Sequence, residues 1–462
     1  MNTEMIHSSG EGYTAQDAAQ DSQTICNEFR EYNTIDTDLY NIYPVARGLR
    51  NADGTGVVAG LTQICNVHGY VMDEGEKSPV EGALSYRGVD INDLVNGCIQ
   101  ENRYGYEETA WLLLVGKLPT KQQLETMRNL MTLYEELPDS FAEDVLMKTP
   151  SRQLMVQLAR GVLGLCFYDD NPDDLSVENQ MRQSMQVISR LPNIMVTAYQ
   201  IKRRFWDKES MYFHQPLPEY SIAQNILRML RADTQFTEEE ARLLDICMTL
   251  HAEHGGGNNS TFATRVLSSS GTDLYCSLAA GIGSLKGPRH GGANKKVREM
   301  VGYIKEGVAH WDNDGEIKDF LYKLMKKEAG DRSGLIYGMG HAVYTKSDPR
   351  AVILKRNARK LAMDKGFYDD FALLESIERL TPEVFASQGN HKVICANVDL
   401  YSGLVYEMLG IPDELHTPLF AVARSAGWCA HRIEEITCGG RLIRPAYKAV
   451  LHKQPYTPLD QR

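Results

Sequence analysis

The stretch TEEEARLLDICMTLHAEHGGG, Thr237 to Gly257, carries in one place the two features that organise this chain. The first is a helix. Thr237 and Glu240 stand at the spacing of a capping box, in which each side chain serves the other residue's backbone N–H. Glu238, Glu239 and Glu240 also put negative charge at the positive end of the helix dipole. Gly255, Gly256 and Gly257 are the expected stop. The second feature is a pair of histidines, His251 and His254, set against those glycines.

Working outward, the same helical grammar recurs. Thr120 and Gln123 make another capping box, after which Leu124, Met127, Leu130, Met131, Tyr134 and Leu137 share one helical face before Pro138. Thr417-Pro418 opens LFAVARSAGWCAHRIEE, where Ala421, Ala423, Ala426, Gly427 and Ala430 are small enough for close helix contact. Alternating β-type runs are few and short, and neither a fixed repeat nor a low-complexity tract occurs. The fold expected is mainly α. The first forty or so residues read as a polar extension.

Composition narrows the function. The chain has 462 residues, 43% hydrophobic and 24% charged, the profile of a globular protein with room for more than one domain. A net charge of -12 argues against nucleic acid and an acidic membrane surface as partners. It leaves open an anionic small molecule, provided a local patch of Arg and His opposes the overall field. The nine cysteines form no C-x-x-C pair, so they read as free thiols of a reducing compartment. The N-terminus has neither a secretory nor a mitochondrial pattern, and no apolar run approaches membrane-spanning length. A cytoplasmic location is expected.

Four polar sites sit beside small residues: HAEHGGGNNS (His251, His254), KGPRHGGAN (His290), GMGHAVYTKSDPR (His341, Arg350) and ANVDLYSG (Asp399). Each has an ordinary structural reading. Histidines three apart are a weak metal signal, since zincins space theirs four apart and deaminases need a P-C-x-x-C partner that is missing here. No metal site is expected. The glycine-rich pieces match neither G-x-x-x-x-G-K-[ST] nor a strand-to-helix G-x-G-x-x-G, which removes ATP and dinucleotides. His290 alone would be a hydrogen-bonded core histidine, but flanking glycines let a backbone approach a ligand or take positive φ. Asp399, on an apolar stretch, is either paired with a cation or held with a raised pKa for proton transfer.

Taken together, LHAEHGGGNNST, GPRHGGANKKV, GMGHAVYTKSDPRA, NVDLYSG and FAVARSAGWCAH resemble, in order and approximate spacing, the motifs of the citrate synthase family. LSYRGVDINDL and EETAWLLLVGKLPT resemble its earlier segments, so the likeness runs from about Leu49 to Arg444. It implies a catalytic triad of His290, His341 and Asp399, and oxaloacetate-binding residues His254, Arg350 and Arg424. Arg444 matches an arginine that reaches the neighbouring subunit's site, which implies a homodimer. Leu335, Ile336, Tyr337, Gly338, Met339 and Gly340 match a loop whose backbone holds coenzyme A, and Arg50 matches a further contact with it. Two positions depart from the family: Gly255 stands where an acid is common, and Met339 where an aromatic or other residue is usual.

The resemblance also implies an architecture: a polar extension over 1–46, a large helical domain over 47–290 and 400–462, and a small domain over 291–399 that closes on an interdomain cleft. The implied reaction, a step of the tricarboxylic acid cycle, joins acetyl-CoA to oxaloacetate and hydrolyses the thioester. Coenzyme A enters as part of a substrate, and no separate cofactor is expected. Asp399 would take the methyl proton, His290 would donate to the thioester oxygen, and His341 would polarise the ketone. Arginine forks suit two carboxylates better than lysines do. The rivals are a 2-methylcitrate synthase using propionyl-CoA, a catalytically silent acyl-CoA-binding paralogue, and a metal-dependent hydrolase built on His251 and His254.

Overall fold

A computed structural model of the chain describes residues 14–73, 76–438 and 440–462. The chain divides into two compact units, Met1–Leu61 and Thr62–Arg462. In the first, the stretch read as a polar extension forms the helix Ala15–Tyr32, begun by a capping box between Thr14 and Asp17, with none of its residues buried. Residues 1–13 of that extension lie outside the described residues.

The second unit is mainly helical, and the expected capping boxes are in place. Thr120 caps the helix Lys121–Glu135, and Thr237 caps Glu238–His251. The latter ends at His251, four residues before the glycines. There the chain leaves the helix so that the Ala252 carbonyl accepts a hydrogen bond from Gly427 N–H (3.1 Å). A tertiary contact thus overrides the local stop signal. Gly255 has φ +89°, a left-handed conformation that glycine takes without the Cβ strain of other residues, so the departure there has a backbone cause.

The helix His416–Thr437 runs through the core and is buried on nearly every side. Its small residues serve as expected. A Cβ on Gly427 would lie 2.4 Å from the Ala252 carbonyl oxygen, and one on the facing Gly281 would meet Thr264 Oγ1 at 2.6 Å. The helices Tyr106–Val115, Val177–Lys202, Leu274–Lys286 and Asn259–Ser268 pack around it. Further along the chain, Ala293–Gly307 and Pro349–Asp364 both pack on Asp399–Met408, and Asp314–Met325 packs on Tyr368–Ser387.

One β element is longer than the sequence suggested. Strand β1 (Cys65–Asp73) pairs antiparallel with β2 (Glu76–Tyr86), in a register of Cys65 with Tyr86 that shifts between His68 and Tyr70, and β3 (Val89–Asp90) pairs with β2. This hairpin braces the loop that carries His341. Cβ atoms on Gly69 and Gly82 would fall 2.6 Å from Tyr344 Cα and 2.1 Å from the Ser347 carbonyl oxygen. Gly82 N–H donates to Ser347 Oγ (3.0 Å), and Thr345 Oγ1 donates to the Gly69 carbonyl. At the end of β2, the buried Tyr86 hydroxyl sits against the carbonyls of Thr249 and Glu253 (3.1 and 3.0 Å), which terminate the His251 helix.

All nine cysteines are free thiols. No described helix is long and apolar enough to cross a membrane.

Candidate active site

Five chain segments meet around a cavity of about 330 Å3. His251 ends the Glu238–His251 helix, and His254 follows it. His290 ends a tight turn in which His290 N–H and Gly291 N–H both donate to the Gly287 carbonyl (2.9 and 3.0 Å). His341 and Arg350 come from the loop braced by the hairpin and from the first turn of Pro349–Asp364. Asp399 opens its own helix. Arg424 enters from the core helix. His254, His290, His341, Arg350, Asp399 and Arg424, chosen from sequence, all line this one cavity.

The two catalytic candidates among the histidines have their protons placed by main-chain amides. An amide N–H can only donate, so a ring nitrogen that receives one must be the unprotonated one. Ser260 Oγ lies 3.0 Å from His290 Nε2 and Ser260 N–H donates to the same nitrogen (3.3 Å); the amide leaves the proton of neutral His290 on Nδ1. Burial, with a smaller contribution from Arg424, pushes the His290 pKa down to about 4, so the ring is neutral near pH 7. In His341 the assignment is reversed. Val343 N–H and Tyr344 N–H both donate to Nδ1 (3.0 and 3.1 Å), so Nε2 carries the proton. Each ring is therefore a neutral donor with a fixed tautomer.

Tyr344, not singled out from the sequence, ties the histidines together. Its ring stacks on His341 with centroids 4.6 Å apart, and its hydroxyl lies 3.2 Å from His254 Nε2. Burial, then the charge of Arg350 with a smaller contribution from Arg424, holds His254 well below the ordinary histidine range. Its position three residues after His341 in an irregular loop gave no periodic signal.

The arginines divide into two kinds. Arg350 is matched by its own N-cap: Asp348 Oδ1 accepts from Nε (3.1 Å) and Oδ2 from Nη2 (2.7 Å), with both residues buried. Burial works against its charge, but the Asp348 carboxylate more than offsets that and raises the guanidinium pKa. Arg424 is fully buried and gives Nε–H to the His251 carbonyl (2.7 Å), while Nη1 and Nη2 have no hydrogen-bond partner among the described residues. Burial lowers its pKa, and the nearby Glu253 carboxylate opposes this. Two unpaired guanidinium nitrogens inside a cavity are the feature expected where an anion belongs.

Asp399 is the complementary case. Its backbone N–H donates to Asn397 Oδ1 (3.0 Å), but among the described residues no hydrogen bond reaches its carboxylate. Burial pushes its pKa up to about 6; Arg350 and Arg424 oppose the rise and Asp348 adds to it.

The remaining candidates lie elsewhere. Gly340 lines the cavity, but Leu335 to Met339 do not. That loop is pinned to the chain just before Asp399 by Gly340 N–H to the Cys395 carbonyl (2.7 Å) and Asn397 N–H to the Gly338 carbonyl (2.9 Å). Gly338 and Gly340 have φ of +81° and +90°, so left-handed backbone accounts for both glycines, and Met339 forms a β-bridge with Ala396. Arg444 is exposed and outside the cavity. Arg50 belongs to the first unit, where Nη1 donates to the Gly54 carbonyl (3.2 Å). His251 and His254 gain no third partner: among the described residues no three His, Cys, Asp or Glu side chains converge as metal ligands.

The family model for the C-terminal domain of citrate synthase matches residues 51–446. The citrate synthase of a Synechocystis species is 32% identical over 421 residues, spanning 88% of this chain and 92% of that protein. That of Acidithiobacillus ferridurans is 34% identical over 418 residues, 88% of this chain and 97% of that one. Among solved structures, the citrate synthase of Pyrobaculum aerophilum matches with a TM-score of 0.74 at 29% identity, covering 90% of this chain and 95% of that chain.

Proposed function

The chain belongs to the citrate synthase family, and on that premise we propose that it condenses acetyl-CoA with oxaloacetate and hydrolyses the thioester, releasing citrate and coenzyme A. The observation that carries this reading is the pair of unpaired Arg424 nitrogens in the cavity that also holds His290, His341 and Asp399. One carboxylate of oxaloacetate satisfies those nitrogens, and Arg350 and His254 hold the other end. Asp348 limits the positive charge the substrate must balance, so a dianion meets one paired and one unpaired guanidinium.

Asp399 takes a proton from the acetyl methyl group. Its raised pKa makes it a stronger base than an ordinary carboxylate while leaving it ionised at pH 7. The negative charge moves to the thioester oxygen, where His290 Nδ1–H donates; a preorganised donor of this kind contributes roughly 3–4 kcal/mol to the transition state. The enolate carbon attacks the ketone carbon, whose oxygen is polarised by His341 Nε2–H and is protonated as the alkoxide forms. Water then adds to the thioester carbon, the C–S bond breaks, and the thiol leaves.

Three further parts belong to the same proposal. Leu335 to Gly340 and Arg50 contact coenzyme A, which is a substrate, and the chemistry needs no metal or further cofactor. Arg444 completes the site of the neighbouring subunit in a homodimer. Residues 291–399 form a small domain that closes over a large one, 47–290 with 400–462, in a cytoplasmic enzyme.

The test is oxaloacetate-dependent thiol release from acetyl-CoA and from propionyl-CoA, with and without a chelator, in the wild type and Asp399→Asn. Thiol release from acetyl-CoA that Asp399→Asn abolishes and a chelator leaves intact is expected. Faster turnover of propionyl-CoA would replace citrate with 2-methylcitrate, release from neither would make the chain a silent paralogue, and loss on chelation would restore a metal.

A further inference from the structure

The cavity has a side that the proposed chemistry does not use. Asn294 lies four residues beyond His290, and Ser402 lies three beyond Asp399, on the same helix face. Asn294 Nδ2 donates to Ser402 Oγ (2.8 Å), and Asn294 Oδ1 is 2.8 Å from His416 Nδ1. His416 Nε2 lies 3.2 Å from the Ile411 carbonyl, and its ring packs against Tyr406 with centroids 4.9 Å apart. All four side chains line the cavity, and all are buried: Ser402 is 1% exposed, Asn294 7% and His416 5%. Thr417 Oγ1 donates to the Gly291 carbonyl (3.1 Å), which fastens the His416 end of this wall beside His290.

We infer that the Asn294–Ser402–His416 wall admits a two-carbon acyl group and rejects a three-carbon one, an inference that rests on the condensation reading above. The thioester oxygen at His290 and the α-carbon at Asp399 fix the two ends of the acyl group. A carbon beyond the α-carbon would then face the surface that joins these two segments, which carries Asn294 and Ser402. That surface is polar and its hydrogen-bonding groups face one another, so an added methyl gains no apolar contact and must part groups that are bonded together. Burial also pushes His416 down to about 4, so desolvation disfavours charge on this wall.

The experiment compares kcat/KM for propionyl-CoA with that for acetyl-CoA at saturating oxaloacetate, in the wild type, in Ser402→Ala and in the pair Asn294→Leu with Ser402→Ala. The ratio is taken on one preparation with both thioesters, so a partly folded variant still reports it. A wild-type ratio below about 0.1 is expected, since one methyl group shifts such ratios by about 10- to 200-fold. Each variant should raise it at least about tenfold. A wild-type ratio near or above one overturns the inference without any variant, and so does a ratio that stays within about twofold in both. If the wild type turns over acetyl-CoA and the ratio does not move, this inference alone falls. If it turns over neither thioester, the condensation reading falls first.

Discussion

Lowering the pH from 7 to 5 at saturating oxaloacetate should slow thiol release from acetyl-CoA about tenfold, because the proposed base is largely desolvated. With its pKa pushed up to about 6, Asp399 is roughly nine-tenths ionised at pH 7 and roughly one-tenth ionised at pH 5. A carboxylate at the ordinary value of about 3.9 would stay roughly nine-tenths ionised throughout and give a flat profile. His290, at about 4, adds nothing above pH 5. Since Asp348 contributes to the rise, Asp348→Asn should move the acid limb of kcat/KM to lower pH. The same shift has a stability sign. Folding raises the proton affinity of Asp399, so its contribution is most favourable below pH 3.8 and is lost as pH rises through about 6. At about 1.4 kcal/mol per tenfold in affinity, ionised Asp399 costs the fold roughly 3 kcal/mol near neutrality. Asp399→Asn should therefore be inactive and melt at a higher temperature than the wild type at pH 7. The assay is initial-rate thiol release in buffers of constant ionic strength, with return to pH 7 as the check on reversibility, alongside calorimetry. A profile flat down to pH 5, or an Asp399→Asn protein that melts lower, would refute the reasoning.

Arg424→Met should reduce kcat/KM for oxaloacetate by about a hundredfold or more, since up to two charge-assisted hydrogen bonds of about 1.5–3 kcal/mol each are lost; steady-state kinetics would show it. Gly427→Ala places a Cβ 2.2 Å from Glu253 Oε2 and 2.4 Å from the Ala252 carbonyl, and should cost about 3 kcal/mol or more in urea unfolding. Mixing inactive Arg444→Ala with inactive Asp399→Asn subunits should recover activity. One site of the hybrid dimer then holds an intact Asp399 and receives the partner subunit's intact Arg444. Failure to recover any activity after confirmed exchange would count against the shared site.

Helix starts were legible because their signals are local: Thr120 and Thr237 need only a partner three residues on. Helix ends and side-chain partners were less so. The Glu238–His251 helix stops short of its glycines because of Gly427, which lies some 170 residues away in sequence, and no window of chain shows that. The six cavity side chains were found because whole motifs marked them. Asp348 was in plain view beside Arg350, yet whether an N-cap carboxylate also neutralises the next arginine depends on a side-chain conformation. Tyr344 sits in a loop without period, and its role follows from stacking on His341 and meeting His254 from another segment. Glu253 was invisible for the same reason. Its carboxylate accepts from His431 Nε2 (2.9 Å) in the core and opposes the lowering of the Arg424 pKa, neither of which depends on its neighbours in sequence.

The two amides on His341 Nδ1 have a consequence for how this site tolerates change. The proton on Nε2 follows from the path of the chain through Val343 and Tyr344, whose amides both donate to Nδ1. Residues 343 and 344 can drift in identity, and even the loss of the Tyr344 ring would leave the tautomer in place. Proline alone among the common residues removes a donor, because it has no N–H. The chemical state of this histidine is thus inherited with the shape of a loop, and is shielded from most of the substitutions that would disable a side-chain relay.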